Sequence, residues 1–350
     1  MFQLFRDQIA ADLGGTFGMR VFSITILREC HENDIIRNLV FSIAGLSRVL
    51  CTQTARESPE EYQYALLHQS RALANLRKVM TEGLPRIRLA VMAAALIFVY
   101  ESCQGRYETA RQQVLSGKQL MQLWKAQRQK HNYQVSEIDD ELLDVFPRLD
   151  ANLAGYATAN PYNGPYFPDD DAPIVLESFP NCWPALLVSR MESTNLLHCL
   201  LRFMRKIDRM KRAAPRGFII PNTAFEEAAR LELIMGRWWS TFTTLARDFE
   251  SNAATLLFRV GIKQFQIFLT TGLTMYECAN DAFLEEWRWV IDGARSALEA
   301  DEEIPEGYMK MCCEMEMAVP VFNTGTRCRD RAVREGALQL LRKYPRKQGL

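Results

Sequence analysis

Two acidic clusters are the first residues whose spacing suggests chemistry. The stretch "DDELLD" carries Asp140, Glu141 and Asp144, and carboxylates at i, i+1 and i+4 can share oxygen ligands around a hard cation such as Mg2+. A magnesium site that holds a diphosphate needs a second set of oxygens facing the first. The best candidate is "NDAFLEEWR" with Asn280 and Asp281, but neither Leu284 nor Arg288, farther along it, offers an oxygen ligand. The cluster is therefore incomplete. Glu277, Asp281 and Glu285 fall at i, i+4 and i+8, one face of a continuous helix, and such a face is most often simply solvated. The nine cysteines (Cys30, Cys51, Cys103, Cys182, Cys199, Cys278, Cys312, Cys313 and Cys328) form no C-x-x-C pair, and the four histidines (His31, His68, His131, His198) show no ligand spacing with them. Reduced, mostly buried thiols are expected, with no metal and no cofactor. No Gly-rich phosphate loop and no Cys/His or Ser/His/Asp arrangement stands out, so the chain is expected not to be an enzyme.

Cations cluster twice. In the ending "CRDRAVREGALQLLRKYPRKQGL" seven residues from 329 to 347 are basic: Arg329, Arg331, Arg334, Arg342, Lys343, Arg346 and Lys347. Val333, Ala337, Leu340, Leu341 and Tyr344 recur between them at helical spacing. The pattern predicts an amphipathic helix rather than a nucleic-acid arm, with Asp330 as N-cap, Pro345 as stop and Arg342 and Lys343 at the negative end of the helix dipole. The second cluster, "RFMRKIDRMKR", crowds Arg202, Arg205, Lys206, Arg209, Lys211 and Arg212 near a helix end. Cations there suit the helix dipole and bury their stems against apolar neighbours, which is the favoured reading; a nuclear-import signal or an interaction surface for an acidic partner is the alternative.

The elements that must position these groups are helices. Of the 350 residues 48% are hydrophobic and 24% charged, with Lys+Arg and Asp+Glu both 42, so no global charge draws the chain to polyanions. The longest apolar run, Leu89 to Tyr100, is shorter than the roughly 20 residues that span a bilayer and predicts a buried helix. The opening "MFQLFRDQIAADLGG" carries Asp7 and Asp12 and does not read as a secretory leader, so an intracellular location is expected. Ser58, Pro59 and Glu61 begin a helix whose apolar face is Tyr62, Leu66, Leu73, Leu76 and Met80. Gly105 ends the next helix, and Tyr107, Ala110, Val114, Leu120, Met121 and Trp124 line the one after.

Six prolines from Pro147 to Pro180 break the pattern, predicting a long exposed loop over 147–182 between helical halves at 1–146 and 183–350. Helices resume at 184–213, from a capping box at Thr223 and Glu226, at 253–270 and at 281–299. The expected fold is all-α, antiparallel helical hairpins packed as a multi-helix array, with an isolated short strand near Ile174 to Leu176 as its one candidate exception.

Three stretches taken together, "YALLHQSRALANLRKVM", "AALIFVYESCQGRYETARQQVLSGKQLM" and the ending, resemble in this order segments of the C-terminal regulatory domain of fungal zinc-cluster (Zn2Cys6) transcription factors. The likest details are Glu101, Gly105, Ala110 and Gly117, then Cys328, Arg329, Asp330, Arg342, Pro345, Arg346 and Gly349; "IIRNLVFSIAGLSRVL" is similar to that domain's first core helix. These are packing and capping residues. The resemblance implies an all-α regulator in the nucleus that acts through protein partners, the transcription machinery or a DNA-binding regulator, to control a metabolic gene cluster. Family members read DNA through a module of two C-x2-C-x6-C runs, whereas the first cysteine here is Cys30 in an apolar segment. No direct sequence-specific DNA binding is expected, and no membrane partner. The alternatives are a helical scaffold or adaptor without a DNA-linked role and, on Asp140, Glu141 and Asp144, a chain similar to the all-α class I terpene synthases.

Overall fold

The computed structural model describes residues 1–15, 20–51, 59–81, 87–131, 142, 145–153, 186–213, 219–245, 253–300, 309–312 and 316–348. They are almost wholly helical, so the all-α class holds; the strand expected near Ile174 lies outside the described residues. The chain forms two compact units. The first takes in Met1–Leu153, Ile304–Glu314 and Pro345–Leu350, the second Ala154–Glu303 and Met315–Tyr344. The division after residue 153 falls near the start of the Pro-rich stretch, but two segments of the expected C-terminal half return to the first unit.

In the first unit Phe2–Leu4, a π-helical turn at Phe5–Ile9 and Ala10–Gly14 bury Phe5, Ile9, Ala10 and Leu13. A second π-helical turn, Val21–Thr25, leads into α1 (Ile26–Glu32) and α2 (Asp34–Cys51). Asn33 breaks the helix between them: its Oδ1 accepts from the Ile35 N–H at 2.9 Å, and Arg37 Nε donates to the Cys30 carbonyl at 2.8 Å across the bend. Helix α2 buries Ile36, Leu39, Val40 and Ile43.

Helix α3 (Pro59–Thr81) packs on α2 by a face other than the expected one. Its buried residues are Ala65, Gln69 and Ala72, whereas Leu66 and Leu73 are 36% and 40% exposed. The cause is the close approach of the two backbones at Gly45, where an added Cβ would lie 3.2 Å from Ala65 Cβ and from the Glu61 carbonyl oxygen. Only small side chains fit such a seam. The Oε1 of Gln69 accepts from Ser42 Oγ at 3.1 Å, while its buried Nε2 meets no acceptor among the described residues.

Helix α4 (Ile87–Cys103) is buried at every position but Arg88, as the apolar run predicted; no helix among the described residues is long and apolar enough to cross a membrane. Helix α5 (Tyr107–His131) lays Ala110, Val114, Gly117 and Met121 inward at 4-3-4 spacing. Residues 145–153, here α6, are helical, which corrects the loop expected to begin at Pro147. Val145, Phe146, Leu149 and Leu153 have helical spacing and are buried. The rest of the expected loop lies outside the described residues.

The returning segments form β1 (Lys310–Cys312) and β2 (Arg346–Gln348), a parallel pair in which Lys310 stands opposite Arg346 and Cys312 opposite Gln348. The Met311 N–H reaches Asp12 Oδ2 at 3.4 Å. Partners this far apart in sequence leave no local periodicity, and the pair was not expected.

The second unit contains α7 (Leu186–Arg212), α8 (Asn222–Leu245), α9 (Ala253–Gly272), a 3-10 turn (Glu277–Phe283), α10 (Leu284–Ala300), α11 (Ala318–Arg327) and α12 (Arg331–Lys343). Helix α8 starts at Asn222, so Thr223 lies inside its first turn instead of capping it. The core is aromatic: Trp238 stacks on Phe242 with centroids 4.7 Å apart, and Phe268 meets Trp287 at 6.1 Å. Helices α9 and α10 run antiparallel, since Phe268 meets Trp287 while Val260 lies 2.9 Å from where a Cβ on Gly293 would be.

Candidate functional site

Glu101, Gly105, Ala110 and Gly117 come together in the α4–α5 hairpin. The Gly105 N–H donates to the Ser102 carbonyl at 3.0 Å and the Arg106 N–H to the Glu101 carbonyl at 3.0 Å, the two reverse bonds of a Schellman cap. Gly105, expected to end the helix, does so with φ +70°, the left-handed conformation that favours glycine. In most such caps the residues at the Glu101 and Arg106 positions touch through apolar groups. Here they form an ion pair at 3.4 Å between a buried carboxylate and a half-exposed guanidinium. Beside it, burial pushes the Tyr100 hydroxyl up to about 12.

Gly117 is a seat for one ring. A Cβ built there would lie 1.9, 2.2 and 2.5 Å from three atoms of the Phe146 ring, so α6 docks on α5 through an aromatic face on bare backbone. Lys118 Nζ, one residue on, donates to Asp150 Oδ2 at 2.7 Å and fixes the rotation of α6. Ala110, fully buried, gives the same face its second small residue.

At the end of the chain Asp330 caps α12, its Oδ1 accepting from the Val333 N–H at 3.0 Å. Val333, Ala337 and Leu340 are buried, Leu341 is half-buried, and Pro345 follows the last turn and begins the return to the first unit. Three of the seven cations are held by carboxylates: Arg329 by Asp281 at 3.0 Å, Arg331 by Glu335 at 2.7 Å and Lys343 by Glu299 at 3.7 Å. Arg346 and Lys347 belong to β2. The ending is thus a packed helix and a strand.

Several cations at the basic end of α7 are engaged or buried. Arg205 is 8% exposed, Lys206 Nζ reaches Glu227 Oε2 at 2.7 Å, Arg212 pairs with Asp208, and Lys211 Nζ donates to the Thr274 carbonyl at 2.5 Å. Arg202 and Arg209 are half-buried. Burial, and then the charge of Arg327, push the Lys211 ammonium below its ordinary value. Of the six residues, Lys206 and Lys211 thus join α7 to other elements, while Arg212 pairs within the helix.

The acidic residues separate in the same way. Asp140, Glu141 and Asp144 lie outside the described residues. The 3-10 turn advances each residue by 120° instead of 100°, so Glu277, Asp281 and Glu285 do not share the face that a continuous α-helix would give them. Asp281 pairs with Arg329 and Glu285 with Arg288. Asn280 and Asp281 meet Leu284, Cys328, Arg329 and Asp330 in a shallow cleft of about 310 Å³. No group of three metal-binding side chains exists among the described residues. Cys30 is buried in α1, where desolvation lifts its thiol to about 12, a neutral packing group rather than a ligand.

One arrangement was not anticipated. Trp239 of α8, Arg259, Ile262 and Lys263 of α9, and Glu286 and Trp289 of α10 line a groove of about 390 Å³. In both "GRWWS" and "EEWRW" one tryptophan, Trp238 or Trp287, is fully buried, while its neighbour stands to the side, because adjacent helical residues differ by 100° and alternate ones by 200°. The doubled tryptophans were the available signal, since one ring per helix would have served the core. No protein family, curated protein or solved structure matches the chain.

Proposed function

We propose that this chain is a transcriptional regulator that acts through protein contacts, built like the regulatory domain of fungal zinc-cluster factors, and that it works in the nucleus on a metabolic gene cluster. The observation that supports the reading is where the resembling residues fall. Gly105 closes a helix turn, Ala110 and Gly117 seat a packed helix and Asp330 caps one, so the likeness rests on joints of a helical framework and not on a reactive centre. A non-catalytic role agrees with Asp281 and Glu285 each being paired with a cation. Its partners are then proteins, and duplex DNA is not read by this chain directly.

The test is to express the full chain in fungal cells, once fused to a fluorescent protein and once to an unrelated DNA-binding domain placed before a reporter gene. Nuclear accumulation and a changed reporter output, lost on Gly117→Leu, are expected. Cytosolic retention with unchanged output overturns the proposal in favour of a helical adaptor. Magnesium-dependent turnover of a prenyl diphosphate by the purified chain overturns it in favour of an enzyme.

A further inference from the structure

The groove between α8, α9 and α10 is lined by two cations, Arg259 and Lys263, and two carboxylates, Glu285 and Glu286. Lys263 faces Glu286 at 3.9 Å, and Glu285, on the same rim, is held by Arg288 at 2.7 Å. Arg259, half-buried in the groove wall, makes no ion pair among the described residues, and its Nε, shielded from solvent, has no acceptor from the protein. Its guanidinium carbon stands 6.0 Å from the centre of the Trp289 ring, at the outer limit of a cation–π contact. A half-buried guanidinium with neither counter-ion nor full hydration is costly unless something else supplies an anion.

The rest of the wall indicates the shape of that anion. Trp239 and Trp289 line the groove from two different helices, Trp289 is 38% exposed, and Ile262 and Gln266 complete the lining. Such walls favour a flat π-system over a flexible aliphatic chain, because offset stacking adds to the burial term. The space of about 390 Å³ lies within the range of small-ligand pockets, which join mostly apolar walls to a few placed polar groups. An extended acidic peptide would also need hydrogen-bond partners for its backbone, and the wall is made of helices whose backbones are already satisfied.

We propose that this groove is a binding site for a small planar aromatic carboxylate, stacked against Trp239 and Trp289 with its carboxylate on Arg259. The site stands independently of the function proposed above. Arg259 supplies charge and a planar hydrogen-bonding fork, while Lys263 at the rim is occupied by Glu286.

The test is calorimetric titration of the full chain with 1-naphthoate, with cyclohexanecarboxylate and 1-naphthylmethylamine as the anion without a π-system and the ring without an anion. The expected result is saturable naphthoate binding tighter than about 1 mM, at least about tenfold weaker binding of both controls, and a loss that deepens with salt. Arg259→Gln is expected to weaken naphthoate about tenfold or more, Arg259→Lys to recover part of it, and Trp289→Leu, apolar but without the ring face, to weaken it several-fold. Unfolding midpoints identify any variant that fails to fold, and the comparison of the three probes on the unaltered chain needs no variant. No saturable binding, equal affinity for the three probes, or unchanged affinity in a folded Arg259→Gln chain overturns the assignment.

Discussion

Gly117→Ala sets two effects of opposite sign against each other. In a helix interior alanine is favoured over glycine by about 1 kcal/mol, so at an open position the change would stabilise the protein. At Gly117 the new methyl would lie 1.9 to 2.5 Å from three carbons of the Phe146 ring, well inside van der Waals contact. Phe146 is fully buried and cannot swing into solvent without giving up about 1.5–3 kcal/mol of burial, and overpacking a filled core costs about 1–3 kcal/mol. The steric term wins. The net expectation is a loss of about 1–2 kcal/mol for Gly117→Ala and more for Gly117→Leu, read from the urea midpoint at unchanged m-value. A double-mutant cycle makes the cause specific. Phe146→Leu alone should destabilise by opening a cavity, yet in the Gly117→Ala background it should cost much less, because it makes room for the methyl. A more stable Gly117→Ala chain, or additive effects in the cycle, would show that the ring does not rest on that glycine.

Gly105 is a contrasting case: its φ is +70° but an added Cβ there meets nothing within 4 Å, so the cost is backbone strain alone. Gly105→Asn should be nearly neutral, Gly105→Ala should cost about 1 kcal/mol and Gly105→Val about 1–3 kcal/mol by denaturant titration. In the closing helix Leu340→Asp, at a buried site, should unfold the chain far more readily than the half-buried Leu341→Asp or the joint change of Arg331, Arg334, Arg342 and Lys343 to Gln, since exposed ion pairs contribute little. The purified chain should bind duplex DNA no better than a non-specific competitor at about 0.15 M salt, and selective binding lost in the Gln variant would reverse the assignment of that helix. Peptide mapping after iodoacetamide at pH 8 should find exposed Cys278 modified in the folded chain and buried Cys30 only after unfolding. Folding raises the Cys30 thiol from 9.0 to about 12 and the Tyr100 hydroxyl from 10.0 to about 12. Only the unfolded chain ionises them in between, so thermal unfolding should ease as pH rises from about 9 towards 12, with no such contribution below 9.

What could be read from the sequence alone is what neighbouring residues settle among themselves. The left-handed Gly105, the Asp330 cap, the stop at Pro345 and the inward stripe of α5 depend on contacts three to five positions apart, and composition and period state those directly. The tertiary structure decided everything that turns on which surface a helix meets. Leu66 and Leu73 formed the more hydrophobic face of α3, yet the close approach at Gly45 selected Ala65, Gln69 and Ala72, because the separation of two backbones is set by the smallest side chains between them. The acids at 277, 281 and 285 lost their common face to a local change of helical pitch, and Lys206, Arg212 and Lys211 of α7 meet Glu227, Asp208 and the Thr274 carbonyl. Pairing of 310–312 with 346–348, and the meeting of Trp239, Arg259 and Trp289 in one groove, join residues dozens of positions apart. Such meetings depend on how whole helices pack, a property of many side chains at once that no local window of sequence contains.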